Sequence, residues 1–202
     1  MYERCIIRYM SRRLENLLGA LAVALSDVIG SAVETATGHA GAMGAALAIL
    51  AQEPGLGIEQ LRVPLGRTQS ATVRVVDQLV ADGYAERRAG RDNRSVAVVL
   101  TGKGNQAAAR VLGSREDALA DALSVLGPGE RKALTAALEK VLAAITTDRA
   151  HAAHICRLCD LAACPEKVCP DERAARAHTP SAPANTDMAP AARSITSRGD
   201  QS

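Results

Sequence analysis

Four of the five cysteines fall within fourteen residues, as Cys156-x2-Cys159-x4-Cys164-x4-Cys169. Thiols at this spacing can converge on one centre, and four thiolates satisfy the tetrahedral preference of zinc. Pro165 and Pro170 follow two of them and keep those residues in extended turns. A cysteine–proline ending also occurs in iron–sulfur ligation, so a cluster is a second use. Redox-active thiols without metal are a third, because a reducing compartment seldom keeps structural disulfides. His151 and His154 lie just upstream, where an imidazole can replace a cysteine or stand as a plain surface residue. Cys5 is remote from the group.

A second set of residues carries charge rather than sulfur. From Arg62 to Lys103 eight basic residues oppose four acidic ones, a larger excess than the +2 of the whole chain. Such local excess attracts phosphates whatever the base sequence. Within it, Arg67, Thr68, Gln69, Ser70, Thr72 and Arg74 crowd one short polar stretch. Arginine can pair with guanine N7 and O6, and glutamine with adenine N6 and N7, which makes Gln69 and Arg74 the leading base readers. Thr68, Ser70 and Thr72 suit phosphate oxygens. Further on, Arg91 and Arg94 flank Asp92 in a Gly-Arg-Asp-Asn turn, where an arginine can enter a narrow minor groove. Asp92 either holds a neighbouring arginine or simply forms the turn.

These residues need elements to position them. Ile58, Leu61 and Leu65 mark the inner face of a short supporting helix, which Pro64 shortens or bends toward Gly66. Thr68 or Ser70 can cap the next helix, whose buried stripe is Val73, Val76, Leu79 and Val80. Tyr84–Arg88 and Ser95–Thr101 alternate as two antiparallel strands, with Val96, Val98 and Leu100 inward. Helix, turn, helix and β wing in that order give each segment one job on a duplex: support, base reading and groove clamping.

The 202-residue chain is 48% hydrophobic but has no Phe or Trp, so its core must be aliphatic and alanine-rich, which favours packed helices. Leu14, Leu18, Leu21, Leu25 and Val28 form one helical stripe, and Leu134, Leu138, Val141, Leu142 and Ile145 another. A helix between them spans about Ala42 to Gln52, and one from Gln106 is stopped by Gly127-Pro128-Gly129. The two end stripes exceed what a small globule can cover, so they are expected to pair with a second copy. The longest uncharged run, Thr35–Gln52, is too polar to span a membrane, and the charged N-terminus lacks a signal core; a cytoplasmic protein without a membrane partner is expected. Met10 heads a plausible helix start, so residues 1–12 read as an extension. From about Asp171 the chain turns to Ala, Pro, Ser, Thr and Arg, and residues 172–202 are expected to lack structure.

The run LGRTQSATVRVVDQLVADGYAERRAGRDNRSVAVVLTGKG (Leu65 to Gly104) resembles the core of a MarR-family transcription regulator. Its most specific part is R-D-x-R-S-x-x-V-x-L-T-x-K-G across Arg91 to Gly104. The resemblance extends from about Leu14 to Ile145. It implies a homodimer joined through its N- and C-terminal helices that binds double-stranded DNA at a pseudo-palindromic operator, usually as a repressor. It also implies a small-molecule effector pocket between the dimer helices and the reading unit, here expected to be aliphatic. Thr68, Gln69, Ser70 and Arg74 match its recognition-helix contacts, and Asp92 and Arg94 its wing pair. Pro64, and Arg67 in place of a small capping residue, depart from the pattern.

The sequence therefore reads as mainly α with a small β wing: a winged helix-turn-helix over residues 13–150, dimerising through its end helices, then a cysteine-rich motif over 151–171. The expected function is DNA-binding regulation responsive to metal, oxidant or a small ligand. A CxxC thiol-disulfide oxidoreductase is the enzymatic alternative, weakened by the lack of a βαβ setting. A non-DNA-binding adaptor is the other. No acid pair, nucleophile constellation or phosphate-cradling loop appears elsewhere, so the chain is not expected to be an enzyme.

Overall fold

Aliphatic side chains at three- and four-residue steps build helices, and helices dominate. The computed structural model describes residues 2–39, 41–90 and 95–178. In chain order the elements are α1 (Tyr2–Thr37), α2 (Ala42–Gln52), α3 (Ile58–Leu65), α4 (Gln69–Ala81), β1 (Ala85–Ala89), β2 (Val96–Leu100), α5 (Gly102–Leu123), α6 (Pro128–Ile145), α7 (Arg149–Ile155) and α8 (Pro170–His178). The strands pair antiparallel, with Ala85 opposite Leu100 and Arg87 opposite Val98. Mainly α with a small β wing is what forms.

The core lies where α2, α3, α4, α5 and the strand pair meet. Leu47, Leu50, Leu61, Val76, Leu79 and Val98 are completely buried there, with Ala107 and Ala108 of α5. Every residue from Met43 to Leu50 is buried, so α2 is apolar on all sides and serves as the central post. It can approach α1 closely because Gly44 has no side chain; a Cβ there would stand 2.1 Å from Val33 Cγ1. Each fully buried leucine contributes about 1.5–3 kcal/mol from removal of apolar surface from water.

The residues between the wing and α5 have local structural tasks. Thr101 caps α5 by accepting from Gly104 N at 3.1 Å, while its hydroxyl donates to Gly83 O at 2.7 Å. Lys103 donates to the Asp82 carbonyl at 2.7 Å and lies over the Tyr84 ring. A Cβ on Gly104 would meet the Tyr84 carbonyl at 1.9 Å, so only glycine fits. The Thr-x-Lys-Gly run thus fastens the wing to the end of α4.

Several expectations change. The helix taken to begin near Met10 is continuous from Tyr2, so residues 2–12 are helical with the rest of α1. The segment expected to lack structure beyond Asp171 begins as helix α8, for which Pro170 at the start, Asp171 and Glu172 in the first turn, and helix-forming Ala and Arg are sufficient signals. Val96 is 48% exposed rather than inward, while Val98 and Leu100 are buried as expected. Thr35–Gln52 is divided between the end of α1 and α2. Among the described residues, one helical stretch, Arg12–Thr37, is long and apolar enough to cross a membrane by length and composition alone. In it Leu14, Leu17, Leu18, Leu21 and Val28 are about half or more exposed, as are Leu138, Val141 and Ile145 on α6, which buries no residue at all.

Candidate nucleic-acid interface and thiolate centre

The helix-turn-helix is built from local rules. Gly57 N donates to the Gln60 side chain at 2.9 Å and opens α3. Pro64 sits inside that helix, which ends one residue later. Gly66 then takes the left-handed conformation, with φ of 60°, and turns the chain. Thr68 has extended backbone and accepts from Ala71 N at 3.3 Å, capping α4 as expected. Arg67, Thr68, Gln69, Ser70 and Arg74 are all exposed on this helix entrance.

Thr72 is the exception. It is completely buried and its hydroxyl donates to the Thr68 carbonyl at 3.0 Å, so it packs in the core and cannot reach phosphate. A hydroxyl on a helix can satisfy itself on the carbonyl four residues back. On the buried side of α4, Thr72 joins Val76 and Leu79, while Val73 and Val80 are only half-buried.

The basic residues separate into two groups. Arg62 pairs with Glu59, Arg88 with Glu86, and Arg87 with Asp77 at 2.6 Å, bracing β1 against α4. Lys103 is committed to Asp82 and Tyr84. Arg67 and Arg74 have no acidic partner among the described residues; Arg67 stands at the entrance of α4 and Arg74 in its second turn. An unpaired arginine beside a helix N-terminus is suited to anions. The wing's base is closed by Gly90 N donating to Ser95 O at 2.8 Å. Arg91, Asp92 and Arg94 lie outside the described residues.

Sulfur gathers at the other end of the chain. The Sγ atoms of Cys156 and Cys169 are 3.9 Å apart, and a carboxylate oxygen of Asp171 stands 3.3 Å from Cys156 Sγ. One ligand atom from each of these three residues lies within 4.8 Å of the others, so this group can hold a metal ion. Cys159 and Cys164, the other two expected ligands, lie beside it but outside this group. The hydrogen bond from Cys156 holds the Cys159 thiol down to about 6, helped by the Arg115 and Arg157 cations against the effect of burial. Cys156 is pushed up by that same bond and by burial, and Cys164 to about 11 by burial and the neighbouring Cys169. One thiolate, that of Cys159, is therefore favoured near neutral pH beside the raised thiols of Cys156 and Cys164.

Asp171 was not among the expected site residues. A single acidic residue after Cys-Pro has no spacing signature, but it is 2% exposed and also accepts from the Thr146 hydroxyl at 3.0 Å. Neither histidine joins the sulfurs through Nδ1. That atom of His151 faces Thr147, and that of His154 donates to the Pro64 carbonyl at 2.9 Å. The cysteine loop is further held by Gln52, which donates to Cys159 O at 3.0 Å and accepts from Leu161 N at 2.8 Å.

Between α1, α2, the Gly66 turn and α7 lies an open cavity of about 760 Å³. Leu25, Ile29 and Val33 form an aliphatic wall, but Arg67, Arg115 and Arg157 line it too, so it is not the purely aliphatic space expected.

No sequence-family model matches this chain, and no curated protein does. Solved structures do. A MarR-family transcriptional regulator from Silicibacter pomeroyi is 32% identical, with a TM-score of 0.51, the match covering 65% of this chain and 92% of that one. A MarR-family protein from Bacillus stearothermophilus is 25% identical, with a TM-score of 0.58, over 66% of this chain and 94% of that one. MepR, a transcription regulator of the Staphylococcus aureus multidrug efflux pump MepA, shares the fold at 18% identity and a TM-score of 0.57, over 65% and 97%. Nearly the whole of each relative is spanned, and about a third of this chain lies beyond the match.

Proposed function

Because this chain belongs to the MarR family of winged-helix transcription regulators, we propose that it is a sequence-specific DNA-binding repressor. It acts in the cytoplasm as a homodimer on a pseudo-palindromic operator. The observation that carries this reading is the entrance of α4, where Arg67, Thr68, Gln69, Ser70 and Arg74 are exposed together and both arginines lack acidic partners among the described residues. Gln69 and Arg74 read base edges, Thr68 and Ser70 hold phosphates, and Arg91 and Arg94 follow the adjacent minor groove with Asp92 steadying them.

The second copy covers the half-exposed leucines of α1 and the Leu138–Ile145 face of α6. The same burial accounts for the apolar length of Arg12–Thr37 without a membrane. A small effector fits the cavity beside α1, and its arginines favour an anionic one. The sulfur cluster binds zinc. With Zn–S bonds of about 2.3 Å, tetrahedral geometry places two sulfurs about 3.8 Å apart, and Cys156 and Cys169 stand at 3.9 Å. In a four-iron cluster each cysteine holds a different iron, and the sulfurs must stand much farther apart than on one shared ion.

Recovery and sequencing of genomic fragments retained by the purified protein tests the DNA reading. Retention of one palindromic site, lost in Arg74→Ala, is expected; no retained fragment at modest ionic strength overturns it. Leu21→Glu is expected to yield monomers in sedimentation. Metal analysis and absorption spectra of anaerobically purified protein are expected to give one zinc per chain, and iron with sulfide would overturn the zinc reading.

A further inference from the structure

The C-terminal segment joins two parts of the molecule. On one side α8 lies along α6, and the buried Asp171 accepts from Thr146, the residue that ends α6. On the other side α7 lies on α3, with Ala152 completely buried. There His154 donates to the Pro64 carbonyl, one of the carbonyls at the end of α3 that has no donor within the helix. The same ring covers Gly66: a Cβ on that residue would lie 2.7 Å from His154 Cε1. Gly66 is the turn of the helix-turn-helix, and Thr68 two residues on is the cap of α4. Gln52, at the end of the central helix, holds the loop from a third direction.

Among the described residues, what holds this bridge together internally besides sulfur is mainly the ion pairs of Arg149 and Arg176 with Glu166 and Glu172. Leu161 and Val168 are exposed, and within α8 the buried apolar residue is Ala175. A segment with so small a core gains its folding free energy from a cross-link, and for a thiolate site that is the metal.

We propose that the thiolate cluster is a metal-dependent joint. With a divalent, thiophilic cation bound it fixes the reading head to the dimerisation helix α6; with the cation removed the joint opens and DNA affinity falls. The inference rests on the DNA-binding and zinc readings above. Two heads of a dimer must present their recognition helices at a fixed separation to span paired half-sites. An open joint leaves the Pro64 carbonyl and the Gly66 turn uncovered, and α4 must then be ordered at the moment of binding, which weakens the complex.

The test uses the full-length, zinc-loaded protein, stripped by a chelator under reducing conditions and then reloaded with zinc alone. Amide hydrogen exchange and DNA titration are followed together. Stripping is expected to accelerate exchange at Gly66–Ala71 and across α7 and α8, to leave Met43–Leu50 protected, and to weaken DNA binding about tenfold, a usual coupling between sites. Zinc restores both. His154→Ala is expected to keep its zinc yet show faster exchange at Gly66 and weaker binding, which separates the joint from the ion. Arg74→Ala is expected to lose DNA while metal content and exchange stay as in the parent. A protein that holds metal but retains no DNA defeats the DNA reading, and the exchange measurement still decides the joint. Unchanged exchange at Gly66–Ala71 after stripping, or unchanged DNA affinity, overturns the proposal.

Discussion

The reading head and the C-terminal segment are both small and helical, but they cohere by different means. In the head, Leu47, Leu50, Leu61, Val76, Leu79 and Val98 exclude water completely, and apart from the buried Thr72 the polar side chains finish the helix ends and the wing. In the segment from Arg149 to His178, apolar burial is limited to Leu158 against that core and to Ala152 and Ala175, and most of the order comes from Asp171 on Thr146, Gln52 on the cysteine loop, His154 on Pro64, and the salt bridges of Arg149 and Arg176 with Glu166. Exposed ion pairs of that kind are screened by water and contribute little to stability. An aliphatic core stands by itself; a polar lattice around four sulfurs needs something to close it.

The sharpest way to break this comparison is to remove one sulfur. Cys169→Ser takes away a buried thiol at the centre of the cluster. Limited proteolysis is expected to cut it rapidly between α6 and α8 while α2 to α5 resist, because loss of metal affinity is loss of folding free energy for that segment alone. Equal resistance in parent and variant would mean that the segment stands without its metal.

The converse change belongs in the head. Leu61→Ala leaves a cavity between α3 and the central helix, and denaturant unfolding is expected to show a loss of about 2–5 kcal/mol. Metal content per folded chain should not change. A loss under about 1 kcal/mol would show that α3 depends more on its contact with α7 than on the core.

What the sequence disclosed divides along the same line. Local rules are legible in the head: α2 falls where its apolar run lies, Thr68 caps α4, and the two alternating runs pair as antiparallel strands. Thr72 departs from its expected place because a polar residue on a helix is taken to face water, whereas its hydroxyl is satisfied by a carbonyl four residues back and the residue is buried. In the tail, cysteine spacing revealed the sulfurs but not their setting. The contact of His154 with Pro64 spans ninety residues of chain, and that of Gln52 with the cysteine loop more than a hundred. No local pattern encodes such pairs. Asp171 became visible only once α6 and α8 were side by side.

A smaller effect distinguishes support from contact inside the head itself. Gln52→Leu removes both hydrogen bonds to the cysteine loop while keeping a side chain of similar length on α2. Global stability is expected to change by about 1 kcal/mol, near the net worth of an ordinary hydrogen bond. Exchange at Cys159–Leu161 should rise, with the amides of α4 less affected than in His154→Ala. Equal effects of the two variants on α4 would place the coupling in the loop as a whole rather than at Gly66.

A stability change of similar size comes from Thr68, and it bears on whether the entrance of α4 is built to hold the helix or to touch a duplex. Thr68→Ala removes the acceptor for Ala71 N and is expected to cost about 1 kcal/mol. Thr68→Asp should restore that loss, because aspartate caps as well as threonine and its charge suits a helix N-terminus. Toward DNA the two must diverge. A carboxylate at that exposed position repels the phosphate that the hydroxyl is proposed to hold, so Thr68→Asp should bind more weakly than Thr68→Ala despite being more stable. The gap should narrow as salt rises, since screening weakens repulsion between exposed charges. If Thr68→Asp instead binds as the parent does at low salt, the phosphate lies elsewhere, and Thr68 serves the fold of the head alone.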